Sequence, residues 1–510
     1  MVRKNLSGLT AVLAAAVVLA ACGKEEKGTP TPAEDGYKWT TDGGLNACDH
    51  ILFTESGAEA PEGDQIGNGD QEFVFNGKQT LKKGTYVMKG WIYIADGAEL
   101  TIEPGTVIKG DKQTKAAIVV ERGGKLIARG SKESPIVFTS AQNKGSRRPG
   151  DWGGIILCGK ARNNQAEMQI EGGPRTKHGG EDDEDNSGVL SYVRIEFAGY
   201  PFQKDKEINA LTLGSVGSGT ELDHIQVSYS NDDSFEWFGG KVNARYLVAY
   251  HTWDDDFDTD NGYGGKVQFA LAVRNGRIAD TSQSNGFESD NNAGGSDVTP
   301  YTNAMFSNVS FIGPKSDPAF VNTTDYITGG DFNPGNGSAL GRFQAAMHIR
   351  RASRLNCINS IAAGFPIGIM LDGEKGDTQE AAGRGLLKLC NIWMADMDII
   401  GSDMNKLYED VLVTDYASKT MDSGKNSFSH DFFLAQKGNR YFDDASSLSL
   451  EDWDNVGSPF LPSASSPVMS AAAWEDADGW FEKVPYIGAV SASDNWLEGW
   501  TSFDPEYESY

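Results

Sequence analysis

Histidine and cysteine are scarce in this chain, six and five among 510 residues. Cys48, Cys158, Cys357 and Cys390 are widely spaced, form no C-x-x-C pair and have no His-rich surroundings. That argues against zinc and leaves buried free thiols as the expectation. Positive charge is also short: 45 lysines and arginines face 72 acids, for a net charge of −27. Nucleic acid and anionic lipid both need a basic footprint, so neither fits; divalent cations, basic partners and neutral sugars do. Beyond residue 20 no apolar run is long enough to cross a bilayer. Helical periodicity is scarce before residue 400. Glycine is plentiful, 61 residues against a usual share of about 7%, so many tight turns are expected.

Arg3 and Lys4 precede an apolar run over residues 9–20, too short to span a membrane and typical of a secretory leader. The run ends in "LAAC", which resembles the lipobox of bacterial lipoproteins. The resemblance implies cleavage before Cys22 and lipid on its thiol; the alternative is an ordinary leader with an incidental cysteine. Stable anchoring would need several acyl chains. "CGKEEKGTPTPAEDG" follows, and its Lys-Glu-Glu resembles the surface-export signal of Bacteroidetes-type lipoproteins. Its composition suits a solvated tether. Residues 1–21 are thus read as leader and 22–45 as lipidated tether.

The body is built of short runs of period two. "ELTIEPGTVIKG", "AAIVVERGGKLIARG", "SPIVFTS" and "WGGIILCGKA" are β segments parted by turn residues. "LDHIQVSYSN" and "ARYLVAYHTW" match over a shift of 22 residues. The shift carries Ile225 onto Leu247, Val227 onto Ala249, Asp232 onto Asp254, Asp233 onto Asp255, Phe235 onto Phe257 and Glu236 onto Asp258. A third copy, 30 residues on, places Phe287, Glu288 and Asp290 on Phe257, Asp258 and Asp260. A propeller blade needs about 40 residues, and a leucine-rich repeat needs helices; neither fits. Coils of three short strands and tight turns predict an all-β, right-handed parallel β-helix with caps at its ends. The boundaries read as 46–402 for the helix, its N-terminal cap and first strands filling 46–95 and coils running from about Leu100 to about Ile400. Residues 403–510 read as a small mixed C-terminal cap, closed by Trp-rich residues 474–504. Residues 172–188 and 322–341 read as loops, and "EDDED" (181–185) as a solvated, mobile one.

"LTIEPGTVIKG", "DWGGIILCGKA", "NDDSFEWFGGKVNARYLVAY", "DDDFDTDNGYGGKVQF" and "YIGAVSASDNWLEGWTSFDP", taken in order, resemble a family of Bacteroidetes surface lipoproteins with a right-handed, pectin-lyase-like β-helix. The resemblance implies that fold, an outer-membrane address facing outwards, and work beside nutrient-uptake systems, with a TonB-dependent transporter as a possible partner. It brings no catalytic residues.

Residues 254–260 hold five aspartates among aromatic rings. Stacked in register, Asp232, Asp254 and Ser284 would lie about 4.8 Å apart on neighbouring rungs, as would Asp233, Asp255 and Asn285. Unit charges at that spacing repel by roughly 3–4 kcal/mol at an effective dielectric of 20. A hard cation relieves this, and Ca²⁺ takes six to eight such oxygens. Asp232, Asp233, Asp254, Asp255, Asp258, Asp260, Glu288 and Asp290 are therefore the candidate metal ligands. The alternative is a solvated acidic turn. Phe235, Phe257 and Phe287 share one register and predict an interior ladder, whereas Trp237, Trp253 and Tyr263 are candidate platforms for a sugar.

Catalysis is not assigned. A lyase would need a base near its cation; Arg245, Arg274 and Arg277 are near in sequence but in no recognisable motif. His224 and His251 read as structural, His224 because its repeat partner is Tyr246. The expectation is a non-enzymatic surface protein capturing a glycan or other nutrient on a Ca-ordered face. A polysaccharide lyase or hydrolase and a structural or adhesive protein are the alternatives.

Overall fold

In a computed structural model of the chain, residues 38–42, 45–50 and 60–510 are described, apart from 166–167, 171–174, 204–205, 281, 319, 321–342, 404–425 and 451–459. The leader, Cys22, the loop at 322–341 and residues 404–425 of the expected C-terminal cap lie outside the described residues.

The alternation of small runs and turns produces a parallel β-helix. Two long sheets of 13 and 15 strands among the described residues stack rung upon rung. In the first sheet the order runs through Gly154–Cys158, Leu211–Val216, Phe235–Gly240, Phe257–Asp260, Phe287–Ser289, Ala345–Ile349 and Ile367–Leu371. The repeat offset is the pairing register: Phe235 lies beside Phe257 and Phe257 beside Phe287. These three rings are fully buried, with centroids 5.6 and 6.1 Å apart. The second sheet pairs Ile225 with Leu247 and Val227 with Ala249.

From Gly188–Glu196 onward each coil carries one long strand in the second sheet. It bends at one residue of positive φ: Tyr192, His224, Tyr246 and Phe269, then Asn308, Asn359 and Asn391. Left-handed backbone is unfavourable for bulky L-residues. Here ring stacking offsets it, at 4.2, 4.3 and 5.0 Å between successive centroids from Tyr192 to Phe269. Asparagine, which tolerates that conformation, takes over higher up.

Four expectations need correction. Coils begin before Leu100: Phe73–Phe75 and Trp91–Ile94 are already rungs. The tether does not run to residue 45, because Lys38–Asp42 and Leu45–His50 pair antiparallel and add to the edge at Phe73–Phe75. "EDDED" is not simply solvated. Asp185 is buried, Asp183 pairs with Arg162, and the backbone N–H of Ser218 donates to the carbonyl of Asp183 at 2.8 Å. The Trp-rich tail does not close the end; helix Phe428–Ala435 packs there, against Ile367–Leu371 and Ile399–Ser402.

The tail instead runs back along the flank of the second sheet. Asn391 Nδ2 donates to the Ala471 carbonyl at 2.8 Å and Asn308 Nδ2 to that of Tyr486 at 3.0 Å. Gln226 binds the backbone of Ser502 in both directions, at 2.7 and 2.9 Å. Lys109 Nζ donates to the carbonyl of Tyr510 at 2.9 Å. Long strands with outward amide side chains thus supply a second edge of hydrogen bonds, and the strap satisfies them.

Candidate functional site: an acidic ladder on the first sheet

Each long strand ends in a turn that leads into the first sheet, and the acids lie on that turn and on the outer face beyond it. Backbone N–H groups at the turn need acceptors on the rung below, and short side-chain oxygens supply them. Asn209 Oδ1 accepts from the N–H of Asp233 at 3.2 Å, and Asp233 Oδ1 from that of Asp255 at 2.8 Å. Asp255 Oδ1 accepts from Asn285 at 2.5 Å, and Asn285 Oδ1 from Ala345 at 3.1 Å. Two asparagines do this job without charge, so the ladder does not require the charge on Asp233 and Asp255.

A second column stands on the strand itself. Glu236, Asp258, Glu288 and His348 pair in succession. Two residues on, Asp260 and Asp290 share that face. The upper end of the cluster is compensated: Arg350 pairs with Glu288 and, at 2.8 Å, with Asp290, while Arg351 reaches Asp290 at 2.6 Å. His348 sits 3.7 Å from Glu288 and 3.4 Å from Asp372.

Among the described residues no lysine or arginine forms an ion pair with Asp233, Asp254, Asp255 or Asp258. Carboxylate oxygens of Asp232, Asp233 and Asp254 lie within 4.8 Å of one another, as do those of Asp233, Glu236 and Asp258. Asp233 is common to both groups. Oδ1 of Asp254 and Oδ1 of Asp258 are buried without a hydrogen-bond partner. Burial, then the neighbouring carboxylates, pushes Asp233, Asp255, Asp258 and Asp260 well above the usual carboxylate range. Asp254 is pushed up to about 8 by burial and then Asp280. Desolvation and like charge both disfavour the ionised form, and a bound dication would reverse the balance. Both oxygen groups fit a hard, oxygen-seeking ion.

The aromatic platforms are a correction. Trp237 and Tyr263 are fully buried, stacked on each other at 5.3 Å inside the solenoid, and Trp253 is 2% exposed. None has a face free for a sugar. Strand alternation carried the signal for Trp237: Phe235 points inward and Glu236 outward, so Trp237 points inward again.

The arginines near in sequence are elsewhere. Arg245 packs on Trp480 of the strap, Arg277 is exposed, and Arg274 is buried against Asp256 at 3.0 Å. Arg350, Arg351, His348 and Asp372 went unread because 60 residues separate Glu288 from its partner His348. The core register of Met347 and Ile349 in "AAMHIRR" was the available signal.

The family model of the pectate-lyase-like β-helix domain matches residues 74–431, well over half of the chain. The chain belongs to this family. The matched span contains the whole acidic ladder. No curated protein and no solved structure matches the chain significantly. Membership establishes the fold, and a fold alone assigns no reaction.

Proposed function

We propose that this pectate-lyase-like β-helix is a non-catalytic capture protein of the cell surface, whose acidic ladder is ordered by Ca²⁺ and presented to a glycan or other nutrient. One observation carries the reading. Asp233 and Asp255 place ionisable carboxyl groups in a ladder where the neutral amides of Asn209 and Asn285 make the same hydrogen bond. Carboxyl groups kept where burial and like neighbours oppose their ionisation call for a bound cation that restores it. Asp232, Asp233 and Asp254 would hold one cation and Asp233, Glu236 and Asp258 a neighbouring one, with carbonyls, water or ligand hydroxyls completing the shell. In this reading the chain is held at the outer membrane by lipid on Cys22 and hands its ligand to a TonB-dependent transporter.

A lyase is the second reading, favoured by Arg350 standing beside the acids. Burial alone would lower its pKa, but Glu288 and then Asp290 outweigh burial and hold the guanidinium above its ordinary value. A group so held is a poor proton acceptor.

Calcium titration calorimetry on the protein tests the proposal. Binding lost in the Asp233→Asn/Asp255→Asn double variant is expected; no heat at millimolar calcium would sink the cation reading. Unsaturated products from a polyuronate, abolished in Arg350→Ala, would favour the lyase.

A further inference from the structure

A second feature of the molecule lies where the strap crosses the second sheet. An open cleft of about 360 Å³ is lined by Thr220, Glu221, Asp223, Asn243, Arg245 and Trp480, among others. Glu221, Asp223, Asn243 and Arg245 come from Glu221–Ser228 and Asn243–Tyr250, adjacent rungs. Trp480 comes from the strap.

We propose that this cleft binds a neutral polysaccharide. The half-buried Trp480 indole is fixed from one side: the Arg245 guanidinium lies 4.3 Å from its ring centroid and donates to its carbonyl, and Phe481 meets it edge-on at 5.1 Å. A pre-positioned indole offers an apolar face for the C–H side of a pyranose. Planar polar groups surround it. Arg129 grips Glu221 through two bonds of 2.6 Å, which orients that carboxylate while leaving its side chain 46% exposed. Asp223 is oriented by His224 and stays 31% exposed. Arg245 Nε is buried and has no hydrogen-bond partner in the structure. Carboxylate, carboxamide and guanidinium groups each engage vicinal hydroxyls in pairs.

Charge selects within the sugars. Arg129 pairs with Glu221, and Arg245 lines the cleft together with Asp223, so acids and arginines are equal in number here and the cleft favours neither a polyuronate nor an aminated glycan. Its volume lies at the small end of ligand sites, and it is open, so it suits an internal stretch of a polymer of which only a residue or two is gripped. This site is independent of the acidic ladder and of its cation.

Calorimetry in EDTA, with the full chain, separates the two. Cellohexaose, mannohexaose and xylohexaose are the neutral probes; a galacturonate hexamer and a fully deacetylated chitosan hexamer are the charged ones. At least one neutral hexamer should bind, Trp480→Ala should weaken it tenfold or more, and Glu221→Gln should weaken it severalfold. Trp480→Phe should retain most of the affinity, and melting temperatures report whether each variant is folded. The inference is overturned if no neutral hexamer binds, if a charged hexamer binds better, or if binding survives Trp480→Ala. Glycan binding that needs calcium and ignores Trp480 belongs to the acidic ladder, and it overturns this inference while supporting that one.

Discussion

Asp233 Oδ1 accepts the backbone N–H of Asp255 at 2.8 Å, one rung away, so two carboxyl side chains are locked at the spacing of a β-sheet. Neither can swing away from the other without giving up a backbone hydrogen bond. That lock turns sequence repetition into electrostatic strain.

Replacing Asp233 and Asp255 with asparagine preserves the acceptor and removes the charge. In chelator the double variant should be more stable than the parent by about 1–2 kcal/mol, since repulsion between close acids is relieved. Urea denaturation in EDTA measures this. A double variant less stable than the parent under those conditions would show that the charges are already compensated.

Calcium should stabilise the parent by about 2.7 kcal/mol at a hundredfold excess over Kd, and the double variant by much less. Melting curves across a calcium series, with magnesium as control, give the comparison. Magnesium holds its water tightly and demands a small octahedral shell, so its effect should be smaller.

Phe257→Ala should cost about 3–5 kcal/mol, because the ring is fully buried between Phe235 and Phe287 and rungs cannot close over the void. Glu181→Ala, at an exposed position of the acidic loop, should change stability by less than about 0.5 kcal/mol.

Tyr510→Phe probes the strap. The Tyr510 hydroxyl bonds both oxygens of buried Glu196, at 2.7 and 2.8 Å. Burial holds the Glu196 carboxyl above its usual range, with Arg194 opposing. Losing that donor should cost about 1–3 kcal/mol and speed proteolysis of the last residues.

Acid sensitivity should trace partly to two histidines. Burial lowers His178 to about 4 and His251 to about 3 from 6.5. Below pH 6.5 the unfolded chain takes up protons that the folded one does not. Their contribution is therefore complete above that pH and is lost as pH falls towards 4 and 3, by up to about 1.4 kcal/mol per unit for each histidine. The raised carboxylates slope the other way, since the folded chain holds their protons up to about pH 8 in the case of Asp254. The informative quantity is therefore the difference between the parent and His251→Phe. Both ring nitrogens of His251 lack partners, so phenylalanine should flatten the fall between pH 6.5 and 4.5. Parallel pH profiles for the two would contradict the assignment.

The sequence by itself determined the solenoid and the register of its central rungs. Side chains alternate with period two and identical rungs stack, so a 22-residue self-match such as Phe235 on Phe257 is at once a statement of spatial neighbours. The acidic columns followed from the same arithmetic. Contacts with no local periodicity were decided only by tertiary structure. Trp253 and Tyr263 lie outside the regular strands, where alternation gives no direction, and both are buried. Arg350 reaches Glu288 across 62 residues, and Ser502 meets Gln226 across 276. The strap binds through backbone groups whose partners are amide side chains, and backbone hydrogen bonding leaves no residue pattern to read. Repetition is written in the sequence because each rung solves the same packing problem, whereas the strap and the arginine clamp each solve theirs once.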